Sequence, residues 1–195
     1  MTPLVYFARH GQTDWNATVR FQGQTDVDIN EFGRGQARRN GRRLAELLDD
    51  PLRFDFVASP LRRTRETMEI IRSELGLPPH GYRLDPRLVE VHFGDWQGMT
   101  VDEVEDAFAG AGAAREGNKW EFLPPGAGAE SYRMLSERIA PWLSSLDRDT
   151  VCVTHGGVIR SVFERTGTAN RAEAAVLDIP QDRILRYRDG RLDWV

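Results

Sequence analysis

The chain has 195 residues, of which 40% are apolar and 29% charged, with a formal net charge of −4 and a pI of about 5.6. This length suits one substantial α/β core and is short for two, so we expect a single domain over 1–195. No global basic field draws the chain to nucleic acid or to an anionic membrane, and no apolar run approaches the roughly 18 residues of a spanning helix. A cytoplasmic location is therefore expected by default.

Cys152 is the one cysteine, and it lies in the apolar run Val-Cys-Val-Thr. A single cysteine excludes both an intrachain disulfide and a four-cysteine metal site. We expect Cys152 to be a buried strand residue rather than a nucleophile.

Strand and helix patterns alternate in the first half of the chain. An apolar run stops at Arg9-His10-Gly11, Asn30 is a suitable helix cap, and Ser59-Pro60 begins a helical pattern that Gly76 ends. These patterns predict a strand over 4–8, a helix over 30–48, a strand over 54–58 and a helix over 59–75. This order is typical of strand-to-helix units in a parallel sheet.

The pattern weakens between 94 and 128, where Gly, Ala and Pro are too frequent for a core segment. We expect a mobile, lid-like surface segment there, with a short helix over 101–108. The remaining patterns predict a helix over 131–146, a strand over 150–154, a helix over 158–166, and closing strands over 176–179, 184–187 and 192–194, with a hairpin turn at Asp189-Gly190. Together the elements predict a three-layer α/β/α sandwich with a mainly parallel central sheet, whose ligands lie outside the carboxyl ends of the strands.

Two of the predicted strands end at a histidine that is followed by glycine, namely His10 and His155. Neighbouring parallel strands would bring these two histidines together. The glycines allow backbone N–H groups to approach an anion closely, and the helix after His155 adds its positive N-terminal end. A third strand end carries three arginines, Arg62, Arg63 and Arg65, one of which we expect to point at the same crevice.

Glu90 lies in a short β-like run between apolar residues. Partial burial disfavours its charged form, so Glu90 is a candidate donor of a proton to a leaving oxygen. The two histidines do not indicate a metal centre, because zinc needs a third ligand and no His-Glu-x-x-His spacing supplies one. We therefore expect neither a metal nor another cofactor.

Six segments, in the same order along the chain, resemble the sequence blocks of the histidine phosphatase superfamily, the phosphoglycerate mutase-like proteins. They are YFARHGQTDWN, FQGQTDVDINEFGRGQA, ASPLRRTRET, LVEVHFGDWQG, VTHGGVIR and the closing LDIPQDRILRY. The resemblance covers nearly all of the chain and implies a phosphoglycerate mutase-like fold. Three positions depart from the usual blocks: Ala129 in Gly-Ala-Glu-Ser, Asn30 where Ser or Thr is commoner, and His92 where many relatives have Asp.

The resemblance implies a role for each matching residue. His10 becomes phosphorylated, Glu90 donates the proton, and His155 completes the pocket. Arg9 and Arg63 hold the phosphoryl oxygens; Arg63 is chosen because it follows Ser59 by four residues, as the family spacing requires. Further residues are expected to line or adjoin the phosphate site: Thr13, Asn16, Gln22, Gly23 and the backbone N–H of Gly156.

Three functions fit these residues. The first is a phosphatase that hydrolyses a small phosphorylated metabolite, the second a phosphoglycerate mutase-type isomerase, and the third a phosphate-binding protein without turnover. The last is disfavoured because His10, Glu90 and His155 are all present. Hydrolysis is favoured over isomerisation because only about 64 residues separate Glu90 from His155, and 94–128 offers only Arg115 and Lys119 as cations for a second phosphate. The sequence leaves the substrate and a homodimer open.

Overall fold

A six-stranded sheet forms the centre of the protein in the computed structural model, which describes residues 3–195. The strand order is β3-β2-β4-β1-β5-β6. β1 to β4 run parallel to one another, whereas β5 is antiparallel to β1 and β6 is antiparallel to β5. The bounds are β1 Val5–Arg9, β2 Asp55–Ala58, β3 Arg83–Leu84, β4 Thr150–Thr154, β5 Ile184–Arg188 and β6 Arg191–Trp194. The mainly parallel sheet predicted from the sequence is confirmed.

Helices cover both faces of the sheet. They are α1 Asp14–Ala17, α2 Glu31–Leu47, α3 Arg62–Glu74, α4 Val101–Ala107, α5 Ala111–Gly117, α6 Tyr132–Ser144, α7 Gly156–Arg165 and α8 Arg171–Val176. Alternate residues of β1 point to opposite faces, so Val5 and Phe7 join the core that α6 and α7 cover, while Tyr6 and Ala8 join the core that α2 and α3 cover. This arrangement is the predicted three-layer sandwich. Asn30 caps α2, because its side chain accepts the N–H of Gly33.

The predicted strand over 176–179 was wrong. Val176 is the last residue of α8, and the chain after it has no regular structure although Ile179 is fully buried. The carbonyls of Leu177 and Ile179 accept hydrogen bonds from Arg160 and Arg9 instead of from a neighbouring strand. The apolar pattern therefore indicated burial, and the backbone serves to hold two arginines.

Most other helix and strand boundaries differ from the expected ones by one to three residues. α3 begins at Arg62 rather than at Ser59, and α7 begins at Gly156 rather than at Val158. The short run around Glu90 is irregular rather than a strand. The sequence analysis did not predict four short elements: α1, α5, α8 and the two-residue edge strand β3.

The segment 94–128 is more closely tied to the core than its composition suggested. Trp96 and Trp120 are almost fully buried, and the Trp120 ring stacks on Tyr132 at a centroid distance of 5.8 Å. The expectation that this segment lies wholly outside the core was wrong, because two indole rings anchor it. The short helix expected there is present as α4.

Cys152 is fully buried in β4, and burial raises the pKa of its thiol well above the ordinary value. The expectation of a buried strand residue is confirmed. Among the helices of residues 3–195, none combines the length and the apolar character needed to cross a membrane.

Candidate active site

The carboxyl ends of β1 and β4 bring His10 and His155 together. The two strands are parallel neighbours with Arg9 opposite Thr154. The backbone N–H of His10 donates to the Thr154 carbonyl at 3.0 Å. The two imidazole rings are both buried, with centroids 5.2 Å apart and planes inclined at 60°. The juxtaposition expected from two histidines at neighbouring strand ends is thus present.

One nitrogen of His10 is fixed by the backbone. Its Nδ1 lies 2.8 Å from the carbonyl oxygen of Gly11. A carbonyl only accepts, so Nδ1 carries the proton and Nε2 carries the lone pair. Burial, followed by the charges of Arg63 and Arg9, lowers the pKa of His10 well below its ordinary value. His10 is therefore a neutral imidazole with an available lone pair at neutral pH.

His155 is held differently, through a hydroxyl group. Its Nε2 lies 2.8 Å from Oγ of Ser59, whereas its buried Nδ1 has no hydrogen-bond partner within residues 3–195. Burial, and then the nearby Arg63, lowers the pKa of His155 well below its ordinary value. If Ser59 donates its hydroxyl proton to Nε2, Nδ1 is left as a donor without an acceptor.

Two arginines, the half-buried Arg9 and the fully buried Arg63, complete a set of unsatisfied donors. Arg9 donates through Nη1 to the Ile179 carbonyl, and Arg63 donates to the carbonyls of Thr25 and Gly23. The Nε atoms of both arginines are buried and have no partner in the described part of the chain. Burial lowers the pKa of Arg63 to about 10, so the guanidinium keeps its charge at neutral pH. Buried donors without acceptors are costly, and an anion that fills the site would satisfy them.

Only one of the three arginines at the start of α3 enters this site. Arg63 is fully buried, while Arg62 and Arg65 are exposed. Arg62 forms an ion pair with Asp28 at 2.6 Å on the surface. Helical geometry explains this division, because successive residues are turned by about 100° and cannot share one face.

Glu90 is half-buried, and its carboxylate faces the start of α7. Both of its oxygens lie 3.1 Å from the Gly157 N–H, and Oε1 also accepts the N–H of Val91 at 3.0 Å. A β-carbon at position 157 would collide with this carboxylate. The second glycine of His-Gly-Gly is therefore needed for the close approach of Glu90, a role that the sequence analysis did not assign.

Arg138 fixes the loop that carries Glu90. Its guanidinium donates to the carbonyls of Arg87, Val89 and Glu90, at 2.7, 3.1 and 3.3 Å. It is itself held by a bidentate ion pair with Glu130, with both contacts at 2.8 Å. Glu130 belongs to the Gly-Ala-Glu-Ser segment. The sequence analysis missed Arg138 because no motif marks it and its acceptors are remote in the chain.

Some of the expected phosphate-site residues line a cavity, and others lie beneath its lining. Asn16, Gln22, Gly23 and Gly156 line a cavity of about 130 Å³ together with Arg9, His10, Arg63 and Glu90. Thr13 lies beneath this lining, fully buried, where its hydroxyl contacts Gln22 at 3.0 Å and accepts the N–H of Asn16. His155 lies beneath it as well. The cavity is smaller than typical sites for drug-sized ligands, so it suits a phosphate group and the first atoms bonded to it.

Five further residues line the cavity that sequence reasoning did not single out. They are Arg20, Phe21, Phe93, Tyr132 and Arg160. Most of them lie in segments that the motifs include, but their side chains meet only in the folded chain. Within residues 3–195, no three His, Cys, Asp or Glu side chains form a group suited to hold a metal ion.

The buried neutral histidines predict a loss of stability in acid. The pKa values of His10 and His155 are lowered in the folded state and return to about 6.5 on unfolding. Below about pH 6.5 the unfolded chain therefore binds more protons, and the free energy of unfolding falls by about 1.4 kcal/mol per pH unit for each histidine. Urea unfolding between about pH 7.5 and pH 5 measures this slope. H10Q should make this pH slope shallower, whereas H80Q, at a largely exposed histidine, should leave it unchanged. Equal slopes in the unmodified protein, H10Q and H80Q would contradict a neutral buried His10.

Several known proteins are similar to this chain in sequence and in fold. Glucosyl-3-phosphoglycerate phosphatase from Mycolicibacterium vanbaalenii is 36% identical over 187 residues, covering 89% of this chain and 74% of that protein. Phosphoglycerate mutase-like protein 4 of Arabidopsis thaliana is 34% identical over 192 residues, covering 95% and 80%. A structure of mycobacterial glucosyl-3-phosphoglycerate phosphatase with VO3 has a TM-score of 0.79 at 28% identity, covering 98% of this chain and 97% of that one.

The relatives include phosphatases and mutases. A metal-independent phosphoserine phosphatase of Arabidopsis thaliana is 31% identical, covering 86% of this chain and 70% of that protein. A 2,3-bisphosphoglycerate-dependent phosphoglycerate mutase of Beijerinckia indica is 30% identical, covering 83% and 80%. The model of one family, the histidine phosphatase superfamily (branch 1), matches residues 5–191. With nearly the whole chain matched, and with its paired histidines at adjacent strand ends, the protein belongs to the histidine phosphatase superfamily.

Proposed function

We propose that this protein is a metal-independent phosphatase that hydrolyses a small phosphate monoester through a phosphohistidine on His10. One observation carries the proposal: the free Nε2 lone pair of His10 adjoins a cavity around which Arg9, Arg63 and His155 each have a buried nitrogen without a hydrogen-bond partner among residues 3–195. Such a site combines a nucleophile with fixed positive charge for phosphoryl oxygens. The net charge of −4 supports a small phosphorylated metabolite, rather than nucleic acid or an anionic membrane, as the partner, and we propose a cytoplasmic location.

In the first half-reaction, the phosphoryl oxygens of the substrate accept hydrogen bonds from Arg9, Arg63 and His155. The lone pair on Nε2 of His10 attacks phosphorus as the ester P–O bond breaks, and the Gly11 carbonyl stabilises the imidazolium that forms. Protonated Glu90 gives its proton to the departing alkoxide oxygen. The products of this step are a free alcohol and phosphohistidine.

In the second half-reaction, the Glu90 carboxylate takes a proton from a water molecule. The water oxygen attacks phosphorus, the N–P bond breaks, and its electron pair returns to Nε2 of His10. Inorganic phosphate leaves, and Glu90 is again protonated. One carboxyl group therefore serves as acid and then as base, as expected for two half-reactions that run in opposite senses.

Replacing Glu90 by glutamine tests this role. E90Q should slow cleavage by about 10²-fold or more for alkyl phosphates, because an alkoxide needs a full proton in order to leave. Nitrophenyl phosphate should be slowed much less in its first step, because nitrophenolate is stable without protonation. Burst kinetics with both esters measure that step, and E46Q, at an exposed glutamate on α2, is the control. Equal slowing for both leaving groups would make Glu90 a positioning residue.

The function itself is tested by following a panel of phosphate esters with phosphorus NMR. We expect inorganic phosphate from at least one small ester, at a rate that exhaustive chelation does not change. A mutase would instead convert 3-phosphoglycerate to its 2-isomer in the presence of bisphosphoglycerate, without comparable release of phosphate. That outcome, or a requirement for added metal, would overturn the proposal.

A further inference from the structure

Side chains, rather than a neighbouring strand, satisfy the backbone carbonyls around Glu90. The run 87–91 is irregular, so no sheet ladder supports it. Arg138 on α6 donates to three of the four carbonyls of 87–90, and the Thr154 hydroxyl donates to the remaining one, that of Leu88, at 2.9 Å. A single guanidinium therefore determines most of the path of the main chain that carries Glu90.

Glu130 connects this guanidinium to the phosphate site. Besides its bidentate ion pair with Arg138, its Oε2 lies 3.4 Å from the side-chain amide nitrogen of Gln24. The same amide donates to the Glu90 carbonyl at 3.0 Å. Gln24 directly follows Gly23, which lines the cavity. The Arg138–Glu130 pair thus joins the loop of Glu90 to the loop that lines the phosphate site.

The Glu90 carboxylate has no charged partner of its own. Among residues 3–195 it forms no ion pair, and it accepts only the backbone N–H groups of Val91 and Gly157. Since no side chain fixes its direction, the main chain that carries Glu90 sets the distance from its carboxyl group to a leaving oxygen. A misplacement of about 1 Å is enough to slow a reaction by about 10²-fold.

We propose that the Arg138–Glu130 pair positions Glu90 for proton transfer to the leaving group. Arg138 is then a positioning residue, because it contacts neither the cavity nor the Glu90 carboxylate. The inference rests on the proposed function, in which Glu90 is the acid. An arginine that only stabilised the fold would affect phosphate binding and every ester alike. A positioning residue instead causes a loss that depends on the leaving group and that vanishes once Glu90 has no proton to give.

Replacing Arg138 by methionine tests this dependence on the leaving group. Rapid-quench burst kinetics compare nitrophenyl phosphate with the alkyl phosphate that the protein hydrolyses fastest. In R138M the first step should slow by about tenfold or more for the alkyl ester and by no more than about threefold for nitrophenyl phosphate. Calorimetric affinity for inorganic phosphate should stay within about twofold, because Arg9, Arg63 and His155 remain. Equal slowing of both esters, or a matching loss of phosphate affinity, would overturn the inference.

The same substitution in the E90Q background separates positioning from other effects. With the acid already removed, R138M should change the first step of the alkyl ester by no more than about twofold. Losses that multiply would show that Arg138 acts independently of Glu90, and the inference would be rejected. If E90Q itself slows both esters equally, the acid role in the proposed function fails. If E90Q distinguishes the esters and R138M does not, only the positioning role fails.

A paired variant separates positioning from charge. R138M leaves Glu130 without its partner, and that negative charge lies near Glu90. R138M/E130Q removes both charges, so a loss that persists in it comes from the missing carbonyl contacts. Recovery of the unmodified rate in R138M/E130Q would show that charge, rather than position, had been disturbed, and would contradict the inference.

Two further variants complete the experiment. R133M removes a 44% exposed arginine from the same helix and should leave both esters within about twofold. R138K keeps the charge without the fork of N–H groups, so it should show the same dependence on the leaving group in weaker form, and it carries the test if R138M fails to fold. Equal slowing of both esters by R138K would overturn the positioning role.

Discussion

Replacing His10 by alanine is expected to lower kcat by about 10⁴-fold or more for every ester that the protein hydrolyses. The substitution deletes Nε2, the lone pair that attacks phosphorus, and no other residue is placed to replace it. It also deletes the hydrogen bond to the Gly11 carbonyl, so a modest change in thermal stability is expected. Inorganic phosphate should still bind, because Arg9, Arg63 and His155 remain.

His80 provides the matched control for this experiment. Its side chain is 81% exposed, and H80A should leave kcat within about twofold of the unmodified protein. Steady-state assays of both variants against the same ester, with circular dichroism to verify the fold, give the comparison. Substantial turnover by folded H10A would mean that water attacks the ester directly, and the covalent route would be rejected.

Replacing Arg63 by methionine is expected to lower kcat/KM by about 10²- to 10³-fold, as for the loss of one strong donor to a transition-state oxyanion. Arg63 is fully buried, and its Nε is one of the donors around the cavity that have no partner in the part of the chain that the structure describes. R63K restores the charge without the fork of N–H groups that reaches Gly23 and Thr25, so it should recover only part of the activity.

The neighbouring Arg62 provides the matched control for the Arg63 variants. R62M removes the same charge one residue away, from a side chain that is 59% exposed and paired with Asp28, and should leave kcat/KM within about twofold. Affinity for vanadate, which mimics five-coordinate phosphorus, should fall in R63M and not in R62M. Equal losses in both variants would show that the start of α3 contributes net charge rather than a specific donor.

Chain order and periodicity placed His10 and His155 at strand ends, and the family resemblance supplied their roles. Two histidines at the ends of strands in a parallel sheet must lie at the same edge, and β1 and β4 are direct neighbours. The choice among the three arginines needed the motif spacing from Ser59, and burial of Arg63 agrees with it. Conversely, the apolar pattern at 176–179 predicted a strand because burial and strand formation give the same short apolar run.

The outer part of the site was not predictable from the sequence. Arg138 and Arg160 bind carbonyls that are distant in the chain, so no local pattern predicts the contacts of either residue, although the VTHGGVIR block includes Arg160. Arg115 and Lys119 had been counted as two cations in a surface segment. Trp120 anchors this segment to the core, and its burial was not predictable among the surrounding Gly, Ala and Pro residues. Contacts of this kind are set by tertiary packing rather than by propensity.

The ion pairs of Arg20, Arg115 and Lys119 also bear on whether phosphorylated His10 is hydrolysed or returns its phosphoryl group to an alcohol. A mutase must retain a second phosphate while its intermediate reorients, which requires unpaired cations and exclusion of water. Here Arg115 and Lys119 share Glu116, and Arg20 is paired with Glu103. We therefore expect the dephosphorylated alcohol to leave and water to reach phosphorylated His10.

Covalent trapping tests whether His10 is phosphorylated during hydrolysis. The protein is mixed with a radiolabelled phosphate ester that it hydrolyses, quenched in alkali because phosphohistidine is labile in acid, and digested for peptide mapping. We expect label on Nε2 of His10 in the unmodified protein and in H80A, and no label in H10A. Label on any other residue, or no label during steady turnover, would contradict a phosphohistidine mechanism.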